Sequence, residues 1–284
     1  MILELGHHRF DVTHKALVMG ILNRTPDSFF DGGQYFDFDE FLRKAEQHVT
    51  DGADFLDVGG VKAGPGPEVT EAEEMDRVVP AIAALADRFD IPLSVDTFRA
   101  SVARACYEAG AHVGNDISGF ADPDYLLAAA ENGASVVACH VRLAPRVPDP
   151  DPHYDDLVGE VASFLAERAR WAREAGIPPE RVMVDAGLDL GKTEAMSAEL
   201  LRRHDELAGS GHVMFLSASN KRFLGWLTGT EVDDRRMATI GAHVLGIALG
   251  CRVLRAHDVA GSRRVVDRMA AILAARAELV GAGT

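Results

Sequence analysis

The chain has 284 residues, 47% of them hydrophobic, and a formal net charge of −15 from 44 acidic and 29 basic residues. That length and apolar content allow one large core, and the acidic balance excludes nucleic acid or an anionic membrane as the main partner, since both demand clustered Lys and Arg. No apolar run approaches the roughly 20 residues of a membrane span, and the start MILELGHHRF lacks the basic-then-apolar order of a secretory signal. Cys106, Cys139 and Cys251 have no metal-type spacing, so they read as reduced, structural thiols of a cytoplasmic protein.

The first predicted strand, Ala16–Asn23, is an apolar run that ends in an amide and passes into Arg24, Thr25, Pro26, Asp27, Ser28 and Phe29. Delivering polar groups and a proline-fixed turn at a strand end is the pattern of a site rather than of a plain connection. A helically spaced segment, Phe38–Asp51, follows. Ala53–Gly60 brings Asp57 and leads into the helix Thr70–Arg88; Pro92–Thr97 brings Asp96 ahead of Arg99–Ala109; His112–Ser118 brings Asn115 and Asp116 ahead of Pro123–Asn132. Ala134–Val141 brings His140. Its continuation, Arg142–Tyr154, holds four prolines and reads as a surface loop. After the helix Asp155–Ala175, Val182–Gly187 brings Asp185 and precedes Ala195–Ala208. Val213–Ser219 leads to Ser219 and Lys221 and then to Asp233–Leu249, and Cys251–Asp258 carries Arg255 and His257 before Ser262–Glu278.

Near-continuous apolar strands alternating with amphipathic helices imply a parallel sheet covered by helices. Eight such units in a chain of this length predict an α/β fold, a single (β/α)8 TIM barrel spanning residues 1–284, with the active site at the C-terminal face of the strands. The polar strand endings are then expected to converge on one pocket.

The motifs NRTPDSFFDGG, DVGG, SVDT, GAHVGNDISG, the stretch from Asp185 to Lys192, SNK and RAHDV, in that order along nearly the whole chain, resemble those of the dihydropteroate synthase family within the pterin-binding superfamily. The resemblance implies a transferase of folate biosynthesis that joins 6-hydroxymethyl-7,8-dihydropterin diphosphate to p-aminobenzoate and releases pyrophosphate with Mg²⁺. Asp96, Asn115 and Asp185, with Lys221, are implied to face the donor and acceptor edge of the pterin. Arg255 is implied to stack on the ring and, with His257, to meet the diphosphate. Asn23 is implied to hold the Mg²⁺ through its amide oxygen, and by family analogy the protein is a homodimer.

The chain departs from the family pattern on the second-substrate side. The loop after DVGG reads Val61-Lys62-Ala63-Gly64-Pro65-Gly66 where Glu-Ser-Thr-Arg-Pro-Gly is usual. Asn220 and Arg222 flank Lys221 where Arg and Ser are usual, Asp189 stands for a glycine, and Leu190 stands for an aromatic. These variants resemble divergent actinobacterial paralogues of the family. Arg24, Lys62, Asp189, Ser219 and Arg222 are the candidates for contacts to the second substrate. Three readings stand: the synthase itself, with p-aminobenzoate or a related arylamine; a pterin-binding paralogue with weak or no synthase activity; and a folate-dependent methyltransferase, which the Arg255 and His257 pair disfavours because a folate methyl donor carries no diphosphate.

Overall fold

The computed structural model describes residues 1–25 and 38–281, with side chains as far as residue 275. Pro26, Asp27, Ser28 and Phe29 of the first strand ending lie outside the described residues. A two-stranded antiparallel hairpin, β1 (Ile2–Leu5) and β2 (His8–Asp11), opens the chain. Eight parallel strands follow: β3 (Leu17–Asn23), β4 (Phe55–Gly59), β5 (Leu93–Asp96), β6 (Val113–Asp116), β7 (Ser135–Cys139), β8 (Val182–Asp185), β9 (Val213–Leu216) and β10 (Cys251–Ala256). They close into a barrel in sequence order, with β10 pairing back onto β3. The covering helices are α1 (Phe38–Thr50), α2 (Glu71–Ala86), α3 (Ala100–Glu108), α4 (Tyr125–Glu131), α5 (Leu157–Glu174), α6 (Glu194–Arg202), α7 (His204–Ala208), α8 (Arg222–Thr228), α9 (Arg236–Ala248) and α10 (Val259–Gly281).

The barrel and its helices follow the predicted alternation, with three local differences. The hairpin escapes the reading because neither ILEL, which alternates, nor HRFD, which buries no residue, is a continuous apolar run. The segment predicted as one helix from Ala195 divides at Arg203 into α6 and α7. A short helix, α8, follows Lys221, where the sequence predicts no helix before Asp233. Helix starts are fixed chemically: the hydroxyls of Thr70 and Thr193 and the carboxylate of Asp156 accept the free N–H groups of Glu73, Met196 and Gly159.

Two apolar layers form. One lies between strands and helices and includes Leu56, Val58, Val95, Val136, Val184 and Leu254. The other fills the lower barrel with Met19, Phe55, Val113, Val137, Met183, Phe215 and Val253, and the hairpin closes it from below with Leu3 and Leu5. The barrel is thus solid at its base, and any small-molecule site is confined to the C-terminal mouth. No helix among the described residues is long and apolar enough to cross a membrane.

Candidate active site

Strand register sets the upper barrel. Asn23 pairs with Gly59, Gly59 with Asp96, and Asp96 with Asn115, so four adjacent strands present their last inward positions in one row. Asp57 and Ser94 pair with each other one layer below. Because side chains alternate across a strand, these residues face inward while their neighbours face the helices. Asp116 is one such neighbour: its carboxylate accepts from Ser118 and Phe120, capping its own turn. His140 likewise turns toward Phe164 and Tyr154. The expectation that all the polar endings share one pocket therefore needs correction for Asp116 and His140.

Arg255 organises the floor. Its Nε donates to Asp57 Oδ2 at 2.7 Å and one terminal nitrogen donates to Asp96 Oδ2 at 2.9 Å. Ser94 Oγ donates to Asp57 Oδ1 at 2.6 Å, and Asn115 Nδ2 reaches Asp57 Oδ2 at 3.3 Å. Asp57 is fully buried, and side-chain exposure is 16% at Arg255 and 15% at Asp96. Desolvation opposes the Arg255 charge, but the two carboxylates outweigh it and raise its pKa. At Asp96 the balance runs the other way. Burial, reinforced by Asp57 and only partly countered by Arg255, pushes its pKa up to about 7.

His257, two residues beyond Arg255, receives a hydroxyl contact from Ser219, whose Oγ lies 3.0 Å from its Nδ1. Desolvation, then the positive fields of Arg255, Lys44 and His48, hold its pKa below the ordinary histidine value. The residue is exposed at the mouth, where water screens part of these fields. Before any anion arrives, His257 is a neutral hydrogen-bonding ring beside the Arg255 guanidinium. Asn23 has no side-chain hydrogen bond among the described residues, which leaves its Oδ1 available as an oxygen ligand.

Two lysines fix the loop after β8. Asp185 accepts from Gly187 N at 2.9 Å through Oδ1, leaving Oδ2 without a hydrogen-bond partner among the described residues. Gly187 has φ +64°, and a Cβ there would lie 1.9 Å from the His140 carbonyl oxygen, so the chain can turn here only with glycine. Lys221 donates to the Leu188 carbonyl at 2.6 Å. Lys192, buried, donates to the carbonyls of Gly187 and Leu190 at 2.9 Å each and meets His140 Nδ1 at 2.8 Å. Burial lowers the Lys192 pKa to about 7 and, together with the Lys192 charge, that of His140 to about 3. His140 is therefore neutral and able to accept.

The candidates for second-substrate contacts are dispersed. A cleft of about 410 Å³ is lined by Ala63, Pro65, Asp189, Leu190, Lys192 and Arg222, among others. Arg222, 68% exposed, reaches Glu194 at 3.5 Å. Asp189 sits at φ +64° and accepts from Phe223 N at 3.3 Å. Lys62 is exposed on the neighbouring loop, and Arg24 lies over the rings of Phe38 and Phe41 and donates to the Arg77 carbonyl. The proline-rich segment 142–154 is irregular, as expected, but it is tied on both sides. Tyr154 donates to the Gly191 carbonyl at 2.8 Å, and Arg146 donates to the carbonyls of Lys62 and Pro67. Asp57, Lys192 and Arg146 carry much of this architecture and were not singled out as site residues from sequence. Asp57 opens the DVGG motif and Lys192 closes the stretch from Asp185, so both were visible in the sequence; Arg146 gives no sequence signal beyond its charge.

A closed parallel barrel with an ion-paired polar floor at its C-terminal mouth defines a β/α-barrel enzyme site. The family model for pterin binding enzymes matches residues 19–257, and the chain belongs to that family. It is 38% identical over 261 residues to the dihydropteroate synthase of Bacillus subtilis, covering 91% of this chain and 89% of that protein. It is also 40% identical over 257 residues to a probable bifunctional folylpolyglutamate synthase/dihydropteroate synthase of Haloferax volcanii, where the match covers 90% of this chain but spans only 30% of the longer protein. Among solved structures, a Yersinia pestis dihydropteroate synthase in a sulfonamide drug complex superposes with a TM-score of 0.89 at 35% identity, covering 96% of this chain and 99% of that one. A Xanthomonas albilineans dihydropteroate synthase in complex with 7,8-dihydropteroate gives 0.85 at 36% identity, covering 96% and 98%.

Proposed function

We propose that this chain, acting as one domain, is a dihydropteroate synthase-type transferase that joins 6-hydroxymethyl-7,8-dihydropterin diphosphate to p-aminobenzoate or a related arylamine and releases pyrophosphate. The observation that carries the reading is the row Asn23, Gly59, Asp96 and Asn115 set against Arg255 and Asp185, in a chain matched over its length by such synthases. Asp96, Asn115 and the open oxygen of Asp185 offer acceptors and an amide to the pterin edge, and Lys221 supplies a donor. Gly59 puts no side chain between Asn23 and Asp96, which leaves the floor open where the ring's substituent must pass.

Arg255 and His257 are assigned to the diphosphate. In the reaction the bond between the methylene carbon and the diphosphate oxygen breaks with its electron pair on pyrophosphate. The arylamine lone pair forms the new C–N bond, and the amine then gives up a proton. Stabilising the charge that develops on the departing oxygen is the largest contribution asked of the site. The amide oxygen of Asn23, without a hydrogen-bond partner among the described residues, fits Mg²⁺, which takes few protein ligands beside phosphate oxygens and water; when bound, the ion would neutralise leaving-group charge. Arg24, Lys62, Asp189, Ser219 and Arg222 are assigned, as a looser group, to the arylamine side and its loops. A homodimer is proposed by analogy, and exposed Met237, Val244 and Leu245 on α9 and Ile272 on α10 are apolar surface suited to it.

A second reading, a pterin-binding protein with weak synthase activity, draws on one feature: Ala63 and Gly64 line the cleft without a hydroxyl or guanidinium. Both readings require the pterin pocket, which calorimetry tests. Asp185→Ala is expected to weaken binding of the pterin diphosphate by about 1–3 kcal/mol, because ring donors are left unpaired in a buried site. Unchanged affinity contradicts the assignment of Asp185 and the pocket built on it.

A further inference from the structure

At the base of the barrel, opposite the mouth, the hairpin turn gathers three imidazoles. One ring nitrogen from each of His7, His8 and His112 lies within 4.8 Å of the other two. Ring centroids are 4.0 Å apart for His7 and His8, 5.5 Å for His7 and His112, and 5.8 Å for His8 and His112. Among the described residues only one of their nitrogens has a hydrogen-bond partner: His112 Nδ1 accepts from Leu93 N at 3.3 Å.

The turn is held in place. Ser135 Oγ donates to the Glu4 carbonyl at 2.6 Å, and Arg181 donates to the Glu4 carboxylate at 3.4 Å and the Gly6 carbonyl at 3.3 Å. Gly6 has φ +62°, and a Cβ there would fall 2.1 Å from His112 Cδ2. Glycine is therefore what lets the hairpin bring His7 and His8 onto the third ring.

We propose that His7, His8 and His112 form a binding site for a first-row divalent cation that favours imidazole, Zn²⁺ foremost, separate from the active site. Three imidazoles and a water make an open-position tetrahedral zinc set, and Cu²⁺ and Ni²⁺ suit the same ligands. Tetrahedral ligands about 2.0–2.1 Å from zinc stand roughly 3.3 Å apart, so the 4.8 Å cluster must close by at most about 1.5 Å. His7 is exposed and His8 and His112 only partly buried, and rotation of the exposed ring supplies that movement. Asp90 lies close enough for its charge to act on His8 and offsets part of the cation's charge.

The Leu93 contact has a consequence for affinity. While Nδ1 of neutral His112 accepts that bond, the ring proton is on Nε2. Coordination through Nε2 releases this proton and another is taken up at Nδ1, so the ring stays neutral and the Leu93 hydrogen bond is given up. The site is accordingly a moderate, exchangeable one, and the Leu93 amide reports its occupancy.

The test uses the full chain, with Mg²⁺ in excess, titrated with Zn²⁺ against a chelating indicator beside His7→Gln and His8→Gln. The expected result is one equivalent of zinc per chain, a shifted Leu93 amide resonance, and a loss of affinity in each variant at least as large as the roughly 10- to 100-fold that outer-shell changes cause. Both variants should retain the parent's metal-free melting temperature. Absence of stoichiometric zinc binding by the parent overturns the proposal, as does binding that both variants retain, which would assign the ion to other ligands.

Discussion

Replacing Arg255 by methionine is expected to destabilise the fold by about 3–5 kcal/mol at pH 8, the cost of breaking a buried ion pair by removing one partner, and to eliminate turnover. The guanidinium is the charge partner of two carboxylates at once, Asp57 with no exposure and Asp96 with 15%. Without it both face each other in a low-dielectric floor, and the pKa of Asp96, already raised by burial, rises further above that of the unfolded chain. A carboxylate with a raised folded pKa binds its proton more tightly in the native state, so stability falls as pH rises between the unfolded and folded values. The penalty of Arg255→Met is therefore largest at alkaline pH and shrinks on acidification toward pH 5. Urea denaturation at pH 5 and pH 8 checks this; a loss that grows on acidification contradicts the assigned role.

Lys192→Met has the second large effect, which also grows with pH, here because the parent gains stability rather than because the variant loses it. The substitution leaves the carbonyls of Gly187 and Leu190 without their donor, which costs about 1–3 kcal/mol for an unsatisfied buried group. The loop they belong to carries Asp189 and Leu190, so turnover should fall as well. Because the Lys192 pKa is lowered to about 7 in the fold, the native protein sheds this proton between pH 7 and the ordinary lysine range while the unfolded chain keeps it. Parental stability rises over that window through this group, by no more than about 1.4 kcal/mol per pH unit. The gap between parent and variant is thus expected to widen from pH 7 to pH 9. A flat or narrowing gap contradicts a depressed, buried lysine.

The barrel was legible because each strand is a near-continuous apolar run and the helices between them have their own period. The inward residues were legible in part: Asp96, Asn115, Asp185 and Arg255 stand at strand ends. Their partnerships were not. That Arg255 joins Asp57 to Asp96 depends on how β10, β4 and β5 are placed around the barrel, which no single strand encodes. Asn115 and Asp116 are adjacent in sequence and face opposite ways, so a motif read as one unit divides into a floor residue and a turn cap. Lys192 and Arg146 act through loop carbonyls, which any residue supplies, so nothing in the partner sequence announces them. The N-terminal hairpin was missed for a different reason: β1 only alternates and β2 (HRFD) buries no residue, so neither is the continuous apolar run that marks the barrel strands.

The intact floor and the altered loop at Ala63 and Gly64 meet in one assay. Pterin diphosphate, p-aminobenzoate and Mg²⁺ are mixed with the purified protein, and pyrophosphate and dihydropteroate are measured together, with a chelator control. The synthase account predicts equal amounts of both products, formed over many turnovers and abolished by the chelator. Tight binding of the pterin diphosphate with no pyrophosphate released contradicts it and leaves a pterin-binding protein without synthase activity.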